Sequence, residues 1–261
     1  MRALLLRLLL AFAVAPLPVA AVADERVPVI AAAAALQFAL TEVAAAFKAE
    51  TGRDVKLTFG SSGNFFRQIR EGAPFEVFLS ADEAFVFDLD EAGLTADRGE
   101  LYAVGRLVIM VPDGSPLRAD GTLADLAAAL ADGRLRRFAI ANPDHAPYGR
   151  RAEEALRHEG LWERIEGRLV LGENVSQAAQ FALSGNAEGG IFAYSLALAP
   201  DVARLGEFQL IPDAWHEPLR QRMALLRGAG ETAQLFFAFM QEKRARDIMR
   251  RHGFALPGEG S

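Results

Sequence analysis

Residues 54–93 read DVKLTFGSSGNFFRQIREGAPFEVFLSADEAFVFDLDEAG and contain two strand–turn–helix units in succession. In the first unit, residues 54–59 alternate apolar and polar side chains as a strand does, and residues 64–71 have the spacing of a short helix. The second unit has an apolar strand at 75–80 and a helix at 82–92. This alternation predicts an α/β fold, with a mostly parallel sheet and helices on both of its faces.

The same alternation extends from this stretch toward both ends of the chain. Strands are predicted at 27–33, 101–111, 138–141, 169–171, 190–193, 208–211 and 220–226. Helices are predicted at 36–49, 123–131, 148–159, 175–183 and, as one helix or two, 231–252. The 261 residues allow one large domain or two modest ones. If there are two, the chain has to cross between them through strands near 102–106 and again near 213–221.

The first 23 residues have the pattern of a secretory signal peptide. Arg2 and Arg7 flank the start of an apolar run, and the small residues at 21–23 form a cleavage site before Asp24. The run is too short to span a bilayer, and the chain has no cysteine that could carry a lipid anchor. We therefore expect a periplasmic protein whose mature chain begins at Asp24 and does not insert into the membrane.

Composition excludes several classes of function. The absence of cysteine rules out thiolate metal sites and cysteine nucleophiles, and no two histidines have the H-E-x-x-H spacing of a zinc enzyme. The net charge of −6 argues against a nucleic-acid partner, because such proteins usually carry a basic surface.

Four predicted loops share one position, between the end of a strand and the start of a helix. These loops are residues 33–35, 60–63, 146–148 and 173–175. Helix starts present free N–H groups and the positive end of the peptide dipoles, so several of them together would form an anion site without any lysine or arginine. Taken singly, each loop is better explained by ordinary helix capping, in which Ser61 or Ser62 serves as the cap, and only the four loops together favour an anion site.

A secreted serine hydrolase is the alternative from another class. The GSSG turn is similar to a nucleophile elbow, but with Ser62 at the centre the G-x-S-x-G motif requires glycine at position 64, where this chain has Asn64. A triad with one of the four histidines, at positions 145, 158, 216 and 252, stays open at this stage.

Six stretches in this order resemble the periplasmic molybdate-binding proteins of ABC import systems. They are VIAAAAAL at 29–36, FGSSGNF at 59–65, GAPFEVFLSAD at 72–82, NPDHAPYG at 142–149, GENV at 172–175 and RHGF at 251–254. The resemblance covers nearly the whole mature chain. It implies a two-lobed periplasmic-binding-protein fold, in which each lobe is a mostly parallel sheet flanked by helices and strands cross between the lobes. The implied boundaries are residues 24–103 with 214–261 for lobe 1, and 104–213 for lobe 2.

The resemblance also implies a ligand and the residues that hold it. In this family two lobes close on a tetrahedral oxyanion, molybdate or tungstate, that is held by neutral hydrogen-bond donors and is cargo rather than a cofactor. The family pattern places the donors at Ser62, with Ser61 beside it, at Tyr148 and at the N–H group of Val175. The implied protein is not an enzyme; it acts as a monomer and delivers its ligand to an ABC permease and its ATPase.

The first loop departs from the family pattern. Where relatives carry a serine or a threonine–asparagine pair, this chain has Ala34 and Ala35, which leaves only N–H groups as donors. Some members also use a tyrosine near position 193, where this chain has Ala193 followed by Tyr194, so Tyr148 is the expected replacement. The same architecture would serve sulfate, phosphate or a small organic anion, and these ligands remain alternatives.

Overall fold

The computed structural model describes residues 26–258, so the predicted signal peptide lies outside the described residues. Ten strands form within this range: β1 (Val29–Ala33), β2 (Lys56–Gly60), β3 (Val77–Ser80), β4 (Glu100–Gly105), β5 (Leu107–Pro112), β6 (Phe138–Ala141), β7 (Leu169–Gly172), β8 (Gly190–Ala193), β9 (Gly206–Leu210) and β10 (Leu219–Leu225).

Eleven helices accompany the strands in the same range. They are α1 (Gln37–Thr51), α2 (Ser62–Arg70), α3 (Glu83–Glu91), α4 (Ala124–Asp132), α5 (Pro147–His158), α6 (Trp162–Ile165), α7 (Val175–Leu183), α8 (Tyr194–Ala197), α9 (Pro200–Ala203), α10 (Glu231–Phe239) and α11 (Lys243–Arg251). Single 3₁₀ turns cover Ala34–Leu36, Glu166–Arg168 and Asp213–Trp215. Within the described residues no helix is long and apolar enough to cross a membrane.

The strands form two sheets of five with matching topology. The first sheet has the order β2–β1–β3–β10–β4, and the second has the order β7–β6–β8–β5–β9. In each sheet one strand, β10 or β5, pairs antiparallel with both of its neighbours, so the other four strands point the same way. This arrangement confirms the two-lobed α/β fold with mostly parallel sheets.

The prediction of one long strand over residues 101–111 is wrong. This stretch is two strands in different sheets, β4 and β5, separated by Arg106 alone. Its apolar pattern is continuous because both halves are buried, and a pattern of burial does not record which sheet a strand joins. The chain returns to the first sheet between Leu210 and Leu219. The lobe boundaries at 103/104 and 213/214 stay a prediction.

The remaining elements match the sequence pattern with bounds that shift by a few residues. The C-terminal region forms two helices, and Phe236 and Phe239 of α10 pack edge-on against Phe47 of α1. The four-residue helices α6, α8 and α9 were not predicted, because one turn is too short to show helical periodicity.

Candidate ligand-binding site

The four strand-to-helix loops meet at one cavity between the two sheets. Its lining residues are Ala33, Ala34, Gly60, Ser61, Ser62, Ala81, Ala146, Pro147, Tyr148 and Val175. The loops that follow β1, β2 and β3 come from the first sheet, and those that lead into α5 and α7 come from the second. Parallel strands end at the same edge of their sheet, which is where open α/β sheets bind ligands.

The cavity is small and uncharged. Its volume is about 10 Å³ on a scale at which one water molecule needs roughly 10–15 Å³. None of the residues that line it carries an ionisable side chain except Tyr148. In this closed arrangement the cavity has no room for a sugar, a peptide or an ester substrate.

The start of α2 presents one N–H group that the protein does not use. The Asn64 N–H group donates to Oγ of Ser61, the N-cap residue, at 3.3 Å. The Gly63 N–H group donates across the cleft to the carbonyl oxygen of His145 at 3.0 Å. The N–H group of Ser62, in the first turn, is therefore the donor left for a ligand.

The starts of α5 and α7 also each leave one backbone N–H group free for a ligand. Pro147 is the first residue of α5 and has no N–H group, so Tyr148 carries the first donor of that helix. In α7 the side chain of Asn174 accepts from Ser176 and Gln177, at 3.0 and 3.1 Å. This cap leaves the N–H group of Val175 as the free donor.

The 3₁₀ turn after β1 supplies backbone donors only. Ala33 precedes the turn and has no side-chain cap. Ala33 and Ala34 line the cavity, whereas the predicted site residue Ala35 does not, and its carbonyl oxygen instead accepts from the Ser195 hydroxyl at 2.8 Å. Ala33 was missed because nothing in a run of five alanines marks which ones face a cavity.

Two hydroxyl groups complete the donor set. Oγ of Ser62, which is fully buried, accepts the Ala81 N–H group at 2.9 Å, so the hydroxyl hydrogen remains available. Oη of Tyr148 accepts from Nε2 of Gln221 at 2.9 Å. Burial raises the pKa of the Tyr148 phenol far above its ordinary value, so the group stays protonated and can donate.

Ser61 has a different position from Ser62. Its hydroxyl caps α2 and lies 3.0 Å from Nδ1 of His145, whose Nε2 is 3.5 Å from the Glu173 carboxylate. The serine, histidine and glutamate types match a hydrolytic triad, which the sequence had left open. However, Ser61 is committed to helix capping and borders a cavity with no room for an ester.

Direct hydrogen bonds across the cleft hold the two sheets together around the cavity. On one side His145 bonds to Ser61 and Gly63, and the amide of Asn64 donates to Glu173. On the other side the Ser176 hydroxyl lies 3.1 Å from the Ala34 carbonyl oxygen and 2.9 Å from Oε1 of Gln37. The structure is therefore the closed form of the cleft.

The other candidate residues lie outside the cavity. Tyr194 is held beneath the Arg106 guanidinium, 4.6 Å from the ring centroid, and packs against Phe208. His158 stacks on Trp215, and His252 pairs with Glu42. In the part of the chain that the structure describes, no cluster of histidine, aspartate and glutamate side chains could hold a metal ion.

Two sheets that close on a small cavity at their strand ends define a two-lobed solute-binding protein. Residues 28–255 match the family model described as bacterial extracellular solute-binding protein. The chain belongs to this family.

Curated relatives and solved structures agree with this assignment. The molybdate-binding protein ModA of Rhodobacter capsulatus is 38% identical over 216 residues, 82% of each chain. ModA of Azotobacter vinelandii is 34% identical over 230 residues, 87% of this chain and 89% of the relative. The solved periplasmic molybdate-binding protein of Azotobacter vinelandii superposes with a TM-score of 0.78 at 30% identity and covers 89% of this chain and 100% of its own.

Proposed function

We propose that this chain is a periplasmic substrate-binding protein that captures molybdate, or the similar tungstate ion, and delivers it to an ABC importer. The observation that carries the proposal is the donor set of the cavity. The residues that line this small cavity offer the backbone N–H groups of Ala34, Ser62, Tyr148 and Val175 and the hydroxyls of Ser62 and Tyr148, and no charged side chain is among them. The names of the relatives above indicate which oxyanion this donor set serves.

The donor set suits a dianion for a physical reason. An ion that leaves water has to recover its hydration as hydrogen bonds, and each bond to a charged group contributes about 1.5–3 kcal/mol. Helix starts add the positive ends of their dipoles. Because Ala33 and Ala34 line the cavity with methyl groups, we expect this turn to hold the ligand by backbone N–H groups alone.

Thermal denaturation with added oxyanions tests the ligand. The chain from Asp24 onward is heated with molybdate, tungstate, sulfate or phosphate at about 100 times the dissociation constant, with sodium chloride of equal ionic strength as the control. Binding to the folded state alone adds about 2.7 kcal/mol there, which raises Tm by roughly 5–10 °C for a chain of this size. We expect this shift with molybdate and tungstate. Absence of a shift with all four oxyanions would overturn the proposal.

The selectivity order distinguishes the alternative ligands. A larger shift with sulfate, phosphate or a small organic anion than with molybdate would assign the same architecture to that ligand instead. A hydrolase would release product from a generic ester. We expect no ester hydrolysis, because the Ser61 hydroxyl caps its helix. We infer that the protein has no catalytic role and needs no cofactor.

Delivery to the importer depends on the closed shape. The ligand favours closure because only the closed cleft brings donors from both sheets to it. We infer that a monomer in this form is what the ABC permease recognises. In membrane vesicles that contain the permease and ATPase, the ligand-loaded protein is expected to stimulate ATP hydrolysis more than the ligand-free protein does.

A further inference from the structure

A buried chain of hydrogen bonds connects the ligand cavity to the first sheet. Gln221 on β10 has no exposed surface, and its Nε2 donates to Oη of Tyr148 at 2.9 Å. On its other side, Oε1 of Gln221 lies 3.0 Å from the hydroxyl of Tyr102 on β4. The register of β10 against β4 shifts between Gln221 and Arg222, an irregularity of the kind that redirects a side chain.

The direction of the bond between Gln221 and Tyr148 decides what the tyrosine can offer a ligand. A phenol has one hydrogen and can accept at its oxygen. When Gln221 donates to Oη, the hydrogen of Tyr148 has no acceptor among the described residues, and Tyr148 is one of the residues that line the cavity. If the amide were reversed, its oxygen would take that hydrogen, and Tyr148 would present only lone pairs to an anion.

The Tyr102 hydroxyl is compatible with the first direction. Its hydroxyl is buried and can donate to Oε1 of Gln221, although the carbonyl oxygen of Ser80 lies within reach at 3.1 Å. Burial raises the pKa of Tyr102 well above its ordinary value, so the phenol keeps the hydrogen that it donates.

Gly105 has no side chain, and this leaves room for the contact between Tyr148 and Gln221. A Cβ atom at position 105 would lie 2.3 Å from Oη of Tyr148 and 2.6 Å from Nε2 of Gln221. The last residue of β4 therefore has no side chain at the point where the tyrosine and the glutamine make contact.

We propose that Gln221 is a positioning residue of the ligand site, which turns the hydroxyl hydrogen of Tyr148 toward the bound oxyanion. Gln221 itself does not line the cavity and acts through Tyr148. The proposal rests on the proposed function, because it requires an anionic ligand in the cavity.

A double-mutant cycle tests whether Gln221 acts through the tyrosine hydroxyl. Molybdate affinity is measured by calorimetry for the unsubstituted chain, for Gln221→Met, for Tyr148→Phe and for the double variant. We expect Gln221→Met to weaken binding about tenfold when Tyr148 is present. In the Tyr148→Phe background the same substitution is expected to change the affinity less than about twofold, because no hydroxyl remains to be oriented.

A second variant distinguishes loss of the hydrogen bond from a packing defect at Gln221, which is fully buried. Gln221→Glu keeps the shape of the side chain but replaces the amide N–H donor by an oxygen; when the carboxyl is ionised, both oxygens accept and compete with the ligand for the Tyr148 hydrogen. We expect Gln221→Glu to weaken binding more than Gln221→Met does, while the ligand-free Tm shows that each variant is folded.

The outcomes separate the two proposals. If Gln221→Met weakens binding equally in both backgrounds, or not at all when Tyr148 is present, Gln221 has only a structural role and the positioning proposal is overturned. If the unsubstituted chain fails to bind molybdate or tungstate, the proposed function falls, and the role of Gln221 falls with it.

Discussion

Ser61 and Ser62 are neighbours with the same side chain, and the structure gives them different hydrogen bonds. The Ser61 hydroxyl is occupied by the helix cap and by His145, whereas that of Ser62 accepts the Ala81 N–H group and keeps its hydrogen free. The sequence predicted that this turn carries a cap and a ligand donor. It could not divide the two tasks, because that depends on Ala81 and His145, which lie 19 and 84 residues away.

Replacement of Ser62 by alanine tests this division. We expect Ser62→Ala to weaken molybdate binding roughly 10- to 100-fold, because a hydrogen bond to a charged ligand is lost. The free energy of unfolding is expected to fall by about 1–3 kcal/mol without loss of the fold, since the buried Ala81 N–H group loses its acceptor. Calorimetry measures the first quantity and urea denaturation the second.

Ser115→Ala is the matched control for Ser62→Ala. Ser115 also makes hydrogen bonds to the main chain, donating to Glu188 and accepting from Leu117, but it does not line the cavity. We expect Ser115→Ala to lower the free energy of unfolding and to leave the affinity for molybdate unchanged. An unchanged affinity in Ser62→Ala would show that this hydroxyl serves only to hold the Ala81 N–H group.

At the scale of elements, the helix starts and the regions where the chain crosses between the sheets were predictable, and the break between β4 and β5 was not. Capping residues and glycines mark where α2 and α7 begin, because their chemistry is local. The switch from β4 to β5 has no local signal: Arg106 lies in one apolar run, and only long-range pairing assigns the two halves to different sheets. For the same reason the hydrogen bond between Gln221 and Tyr148, which lie 73 residues apart, could not be predicted from the sequence.

Gly63 of helix α2 packs against the loop that contains His145, on the opposite side of the cleft. This contact leads to a prediction about closure of the cleft. A Cβ atom on Gly63 would lie 2.6 Å from the His145 carbonyl oxygen. That carbonyl belongs to the other side of the cleft, so the clash exists only in the closed form. Alanine is otherwise favoured over glycine in a helix by about 1 kcal/mol. We therefore expect Gly63→Ala to maintain or raise the ligand-free Tm while weakening molybdate binding at least tenfold.

Two measurements check the effect of Gly63→Ala. Small-angle X-ray scattering with saturating molybdate is expected to show a more open molecule than the unsubstituted chain. Gly167→Ala is the control, because a Cβ atom there meets nothing within 4 Å. If Gly63→Ala closes and binds as the unsubstituted chain does, the contact with His145 does not govern closure.

On the scale of the whole molecule, the net charge and the ligand have the same sign. The chain carries a formal charge of −6, and the proposed ligand is a dianion. The cavity resolves this conflict locally, since oriented N–H dipoles and hydroxyls act at contact distance while the distant surface charges are screened by salt. Composition therefore argued against nucleic-acid partners but contained no information about the anion, which only the convergence of the loops supplies.

Alkaline denaturation of the whole fold is expected to depend on its two buried tyrosines. Burial raises the pKa of Tyr102 and Tyr148 above the ordinary value of 10.0. Below pH 10 both the folded and unfolded states are protonated, so these groups add no pH dependence. Above pH 10 the unfolded state loses protons that the folded state keeps, and the free energy of unfolding falls by up to about 1.4 kcal/mol per pH unit for each tyrosine.

The comparison of two chains isolates this contribution. Urea denaturation between pH 8 and pH 11 is expected to give a shallower decline for Tyr102→Phe than for the unsubstituted chain, because one of the two proton sites is removed while lysine titration is common to both. Molybdate affinity of the unsubstituted chain is expected to stay constant up to pH 10, since Tyr148 keeps the hydrogen it donates. Equal slopes for the two chains would mean that Tyr102 can ionise inside the folded protein, which its burial and its hydrogen bond to Gln221 argue against.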